Sequence, residues 1–236
     1  MRRLPALLLF LALTPAAAVA EDYAGLFEDA VSRVTWEYPE NWAFTETRHG
    51  KEKTEIGRYD PSKPDGERWE LVSVDGRTPT RDEADDYRDS KRGDRGFLGG
   101  GDDDSDEDED GPATVVSPGS LELLEEDDSH WLLGFVPTGD DEKEAKFMKK
   151  MSGTVRIAKP AGYLEFLDIS SRKPVSPMVG VKIRDFNTRF EFAEAVAGGP
   201  VVPVAFRFRV KGRAFLAVGF DEMETLEFSD FEPVSD

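Results

Sequence analysis

Between residues 204 and 220 the chain reads VAFRFRVKGRAFLAVGF. Phe206, Phe208 and Val210 alternate with Arg207, Arg209 and Lys211. After Lys211-Gly212 the alternation resumes at Ala214, Leu216, Val218 and Phe220. A period of two gives a strand one apolar and one polar face, so this stretch predicts a long antiparallel hairpin. The same pattern, more weakly, predicts strands within residues 42–59, with His49-Gly50 as a turn, and at 69–74, 121–123, 131–135, 154–158 and 163–169. Residues 181–195 predict a further strand bent near Asn187, and Leu226, Phe228 and Phe231 a last short one. Helical spacing appears at residues 21–34, where Tyr23, Leu26, Phe27, Ala30, Val31 and Val34 recur every three or four positions. A short helix is also expected over residues 140–150. Strands arrive consecutively rather than alternating with helices, so an antiparallel sheet is expected rather than a βαβ fold. About ten strands is a number at which a sheet curls or closes.

The stretch RWELVSVDGRTPTRDEADDYR, residues 68–88, is the most motif-like in the chain. Trp69, Leu71 and Ser73 mark one face of a strand, and Asp75-Gly76 is a turn dipeptide. Thr80 with Glu83 forms a capping box for a helix running to about Lys91. Each residue there has a structural task, so the stretch reads as a strand handing the chain to a covering helix, a hinge rather than an active site.

Charge and composition narrow the functional classes. The formal net charge is -19, and 39% of residues are hydrophobic, enough to build a core. Such acidity argues against binding to nucleic acid or an anionic membrane, both of which need basic patches. MRRLPALLLFLALTPAAAVA has a basic start, a short apolar run and an Ala-x-Ala end, the pattern of a signal peptide cleaved after Ala20. With Arg2 and Arg3 removed the net charge would fall from -19 to -21. There are no cysteines, hence no disulfides, no thiolate metal sites and no cysteine nucleophile. Residues 93–117 are rich in Gly and Asp, with eight acids in the nine residues from 102 to 110, and are expected to form a disordered acidic insertion. Asp106, Asp108 and Asp110 match the first half of a calcium loop, but position twelve is Ser117 where a bidentate Glu is needed. His49 and His130 are the two histidines, too few for a histidine-rich metal site. No Gly-x-Ser-x-Gly elbow or phosphate-binding glycine loop is present. No catalytic residue, metal ligand or cofactor is assigned.

Aromatic residues crowd the C-terminal half, among them Phe166, Phe186, Phe190, Phe192, Phe206 and Phe208, followed by Phe215, Phe220, Phe228 and Phe231. They fit a packed core under a curved sheet, or the lining of an incompletely filled barrel. Over residues 148–234 the chain resembles the LolA-like periplasmic proteins of the outer-membrane lipoprotein-sorting superfamily. The resemblance lies in MSGTVRIAK, KPVSPMVGVKI, the hairpin GGPVVPVAFRFRVKGRAFLAVGF and the closing FSDFEPV, with WELVSVDGRTPT upstream. It implies a strongly curved antiparallel sheet forming an incomplete β-barrel, helices across its open side, and an apolar hollow that holds acyl chains.

The expectation is therefore a mainly β (α+β), LolA/LolB-like half-barrel domain over residues 21–236, acting as a periplasmic, non-enzymatic monomer. Its partner would be a lipid or a lipidated protein. Alternation nominates Trp131, Phe135, Leu164, Phe166 and Ile183 as cavity lining, together with Phe190, Phe192, Phe206, Phe208 and Leu216. The alternatives are an envelope scaffold with a fully packed sheet and an acidic loop for a cationic partner, or, more remotely, a carboxylate-based hydrolase.

Overall fold

The computed structural model describes residues 22–37, 41–92, 115–117, 119–139, 142–171, 173–215 and 218–234. The leader at 1–20, the acidic run at 102–110 and Leu216 lie outside the described residues. Three helices and ten strands follow in the order α1 (Tyr23–Ser32), β1 (Trp42–His49), β2 (Thr54–Tyr59), β3 (Trp69–Val74), α2 (Arg81–Ser90), β4 (Glu122–Glu126), β5 (His130–Phe135), α3 (Glu142–Met148), β6 (Met151–Ala158), β7 (Leu164–Ser171), β8 (Val181–Glu194), β9 (Val201–Ala214) and β10 (Val218–Pro233).

All ten strands belong to one antiparallel sheet, ordered β3-β2-β1-β10-β9-β8-β7-β6-β5-β4. Strands β3 and β4 are its free edges, so the sheet does not close into a barrel. The N-terminal strands join the rest because β1 pairs with β10, Glu46 lying opposite Phe228 and Thr45 opposite Ser229. The outer edge β4 is exposed along its whole length and carries Glu122, Glu125 and Glu126, charges that discourage a further strand from adding there.

One face of the sheet is apolar from β5 across to β10, where Arg48 of β1 stands opposite Leu226. The cross-strand register lines up Leu133, Val155 and Leu167 with Phe190, Phe206 and Leu226. Two packed clusters form on this face. One joins Phe27, Ala30 and Val31 of α1 to Leu133, Val155, Ile157, Leu164 and Leu167. The other surrounds Phe44, with Tyr59, Trp69, Leu71, Tyr87 and Phe228. The Phe44 ring lies 5.0 Å from Tyr59, 5.6 Å from Trp69 and 5.9 Å from Phe228, at tilted or edge-on angles that favour aromatic contact.

The helices begin and end where local chemistry dictates. Asp22 caps α1, its carboxylate accepting from the Gly25 N–H at 3.1 Å. The helix stops short of Val34 because Val34 bridges to Val201, and the Thr35 N–H donates to the Val201 carbonyl at 2.8 Å. Thr80 and Glu83 form the expected capping box at the start of α2, strengthened by Arg77, which donates two hydrogen bonds to Glu83 at 2.5 and 2.8 Å. The Arg77 hydrogen bonds, with those of Thr80, hold the Glu83 carboxyl down at about 2. No helix among the described residues is long and apolar enough to cross a membrane.

Four details depart from the sequence reading. Lys211-Gly212 is not a turn: β9 runs on to Ala214, with Gly212 opposite both Phe220 and Ile183. A Cβ at Gly212 would collide with the Phe220 ring, so the glycine provides space for that ring rather than a reversal of the chain. Strand β8 shifts register between Ile183 and Asp185 and between Glu191 and Phe192, not at Asn187. The last short strand is the far end of β10, which is continuous from Val218. In β3 a register shift beside Leu71 turns Val74, not Ser73, into the core and leaves Val72 exposed.

Replacing Phe44 with Ala should cost about 3–5 kcal/mol by urea unfolding, since its ring is fully buried among four aromatic neighbours. A loss below about 1 kcal/mol would contradict the packing described. The Glu83 carboxyl is lowered in the folded state, so its contribution to α2 is present above its ordinary value near 4.5 and is lost as pH falls through about 2. Hydrogen exchange should therefore show amides of the first turn of α2 losing protection over that window, and Arg77→Gln should move the loss to higher pH.

Candidate functional site

Eight of the ten nominated residues share the apolar face. The register runs from Phe135 and Trp131 on β5, across Ile157 to Leu164 on β7, then from Leu167 to Phe190 and Phe206. Phe135, Leu164, Ile183 and Phe192 are already buried in the α1 cluster, and Trp131 packs on its margin. Phe190, Phe206 and Phe208 are only half-buried. Phe166 is on the other side of the sheet. Between Ile157↔Leu164 and Arg156↔Phe166 the register slips at Glu165, so Leu164 and Phe166 face opposite ways despite their even spacing. Phe166 is covered there by the guanidinium groups of Arg189 at 4.0 Å and Arg156 at 5.1 Å.

The half-buried residues form a strip along β8 and β9, between the two covered clusters. Phe190 and Phe206 stand opposite each other with ring centroids 4.9 Å apart. Phe186 meets Phe208 edge-on at 6.0 Å, and Phe147 of α3 meets Phe186 at 6.2 Å. Alternation within β8 connects Phe186 with Phe190, yet the expected bend at Asn187 separated them and Phe186 was not nominated. Val210 and Phe220 extend the strip on the same face. On β5, three strands from the strip, the indole N–H of Trp131 is buried without an acceptor among the described residues, and the Lys159 ammonium lies 4.1 Å above its ring. The strip can remove hydrocarbon from water, worth about 0.8 kcal/mol per methylene.

The opposite face is a lattice of ion pairs. Arg189 and Arg207 reach Glu191 at 2.7 and 2.8 Å, Arg209 reaches Asp185 at 3.4 Å, and Lys211 reaches Asp221 at 2.7 Å. Burial would raise the Glu191 carboxyl, but the hydrogen bonds from Arg207 and Arg189 outweigh it and hold it low.

Under the apolar face of the N-terminal strands lies a buried polar contact. Glu46 accepts a hydrogen bond from the Lys91 ammonium at 2.7 Å and another from the Tyr87 hydroxyl at 3.4 Å. Tyr87 reaches down because Gly57 lies opposite Glu46; a Cβ at Gly57 would collide with the Tyr87 hydroxyl. The Lys91 ammonium also sits 4.5 Å from the Trp69 ring. Tyr87 and Lys91 are four residues apart on one side of α2, so this contact fastens the helix onto β1 and β3. The carboxylate is engaged by its partners and anchors the helix.

Glu125, Asp127 and His130 present ligand atoms within 4.8 Å of one another at the β4–β5 turn. Asp127 is taken up by the turn itself, one oxygen accepting from the Ser129 N–H, the Ser129 hydroxyl and the His130 N–H at 2.7–2.9 Å. The Ser129 hydroxyl, followed by the backbone N–H groups, holds its carboxyl at about 2. These bonds explain the cluster as turn chemistry. His49 pairs with Thr54 at 3.2 Å across the β1–β2 hairpin.

No protein-family model matches the chain, and no curated protein matches it. Among solved structures, a LolA superfamily protein from Nitrosomonas europaea is similar. The two share 14% identity over 90% of this chain and 93% of that one, with a TM-score of 0.33.

Removing one partner of the Glu46–Lys91 contact strands a buried charge. Lys91→Met should destabilise the protein by about 3–5 kcal/mol, whereas Glu46→Leu combined with Lys91→Met should restore most of that loss. Equal losses in the single and double variants, measured by urea unfolding, would show that the contact does not anchor α2.

Proposed function

We propose that the protein is a non-enzymatic periplasmic binding protein that holds an acyl chain, or the acyl chain of a lipidated partner, against the strip formed by Phe186, Phe190, Phe206 and Phe208. The observation that carries this reading is the half-burial of those four rings on a face otherwise covered by helices. A monomeric globular protein gains by covering such a strip, and here it is left open between the α1 and α2 clusters. Helix α3 brings Phe147 to its border and would act as the lid. The domain would span residues 21–236 after loss of a signal peptide at Ala20.

A second reading is favoured by the burial of Phe135, Leu164, Ile183 and Phe192. Four of the nominated residues are already spent on packing, as expected of an envelope interaction protein with a filled sheet. The two readings differ in whether the strip takes hydrocarbon.

Mass spectrometry of organic extracts from protein purified from its native host should find co-purifying acyl lipid, and a fluorescent fatty acid should brighten on binding. Phe208→Glu, which places a charge in the strip at a half-buried position, should weaken the probe at least about tenfold with an unchanged circular dichroism spectrum. No lipid and no probe response in the unmodified protein would sink the carrier reading in favour of the packed one.

A further inference from the structure

At one end of the sheet, where the connection entering β8 meets the β9–β10 hairpin, four apolar side chains project into solvent. Met178 is 65% exposed, Val179 97%, Phe215 75% and Val218 63%. The two segments are joined: the Phe215 N–H donates to the Gly180 carbonyl at 2.6 Å, and the Phe215 ring lies against Gly180, whose φ of +84° only glycine adopts readily. Phe215 itself has φ of +48°, uncommon for a bulky residue. The hydrogen bond and the ring contact with Gly180 hold Phe215 at the surface in spite of that backbone cost.

The charge at this end is the reverse of the charge elsewhere. Residues 173–184 and 211–220 include Lys173, Lys182, Arg184, Lys211 and Arg213 and not one Asp or Glu, in a chain of net charge -19. Lys182 and Arg213 stand directly opposite each other in the β8–β9 register, an arrangement of like charges that costs stability. On the rest of this face the arginines and Lys211 have carboxylate partners. Lys173, Lys182, Arg184 and Arg213 have none among the described residues. Lys182 and Arg213 line a shallow pocket of about 270 Å³ beside Met178 and Val179. Apolar side chains ringed by unpaired cations match a bilayer surface bearing anionic headgroups, where hydrocarbon takes the first and phosphate the second.

We propose that this tip docks the protein onto anionic phospholipid membranes, with Val179 and Phe215 entering the headgroup boundary and Lys182 and Arg213 contacting phosphates. The docking does not depend on the acyl-binding strip, and a protein with a filled sheet would dock in the same way. The overall acidity, which argues against membrane binding as a whole-chain property, then restricts approach to this one end.

Flotation with vesicles tests it. The protein should float with phosphatidylcholine vesicles containing phosphatidylglycerol, bind pure phosphatidylcholine far less, and be released by salt. Lys182→Gln with Arg213→Gln should lower binding roughly twenty-five-fold, at about fivefold for each cation removed. Val179→Ser, at a position with no packing role, and Phe215→Asn, which suits the positive φ, should each weaken binding with an unchanged melting temperature. Failure of the unmodified protein to float with the phosphatidylglycerol vesicles would overturn the proposal, as would wild-type binding by all of these variants. Phe208→Glu should leave flotation intact, which separates this site from the acyl-binding strip.

Discussion

An open sheet has an apolar face and no second sheet to lay over it. That constraint organises the whole molecule. Ten strands in one antiparallel layer, with β3 and β4 unpaired at the edges, leave a row of aromatic and aliphatic side chains running from β5 to β10. Closure of the barrel would have covered them. Here the helices do so instead, each on its own terms. Helix α1 contributes Phe27, Ala30 and Val31, an ordinary apolar stripe. Helix α2 is so acidic that it has little apolar surface to offer, and it docks through Tyr87 and the Lys91–Glu46 contact. Helix α3 is about two turns long and reaches the sheet chiefly through Phe147. Three covers of such different extent leave the middle of the face between them half-open.

Much of this was legible in the sequence, and the failures share a cause. Alternation located nearly every strand, and the Thr80–Glu83 box marked the start of α2 to the residue, because both signals are local. Register slips are not local. Glu165 bulges only because Phe166 pairs with Arg156 while Leu164 pairs with Ile157, and nothing within residues 164–166 announces it. Phe166 was therefore assigned to the wrong face. Glycines misled for a related reason. Gly212 looked like a turn, yet it is a hole that a ring from a neighbouring strand fills; Gly153 under Phe135 and Gly57 under Tyr87 are two more. A glycine that answers a ring some distance away in sequence carries no local sign of it. The Glu46–Lys91 contact was missed in the same way, since its partners are 45 residues apart.

The two sides of the sheet handle charge oppositely. On the polar side, cross-strand pairs such as Arg207–Glu191 and Lys211–Asp221 balance each other in the open, where each pair is worth little singly but the lattice keeps that face soluble and single-layered. On the apolar side one ion pair is buried, and its value is positional, since burying two charges gains little stability but breaking the pair is costly. The basic end of β8 and β9 fits neither pattern. Lys182, Arg184 and Arg213 there have no carboxylate partner among the described residues, while carboxylates are abundant elsewhere in the chain.

The half-open strip and the basic tip lie on the same two strands. From Phe190 and Phe206 the apolar face continues through Phe186 and Phe208 to Val210, then to Phe220 over Gly212, and ends at Ala214 between Val181 and Val218, one residue before Phe215. On the two proposals taken together, an acyl chain lifted from a bilayer by the tip would meet Phe220, Val210, Phe208 and Phe186 in turn, with Glu222 and Glu224 of β10 beside that path on the same face. The order matters energetically. Each methylene that leaves the bilayer must find apolar surface at once or bear the full cost of hydration, about 0.8 kcal/mol. A binding strip isolated in the middle of the sheet would impose that cost on every methylene of the chain in transit. On the two proposals, a strip that begins at the docking end would let the exchange proceed a few methylenes at a time, so their placement on shared strands would make each more useful than it would be alone.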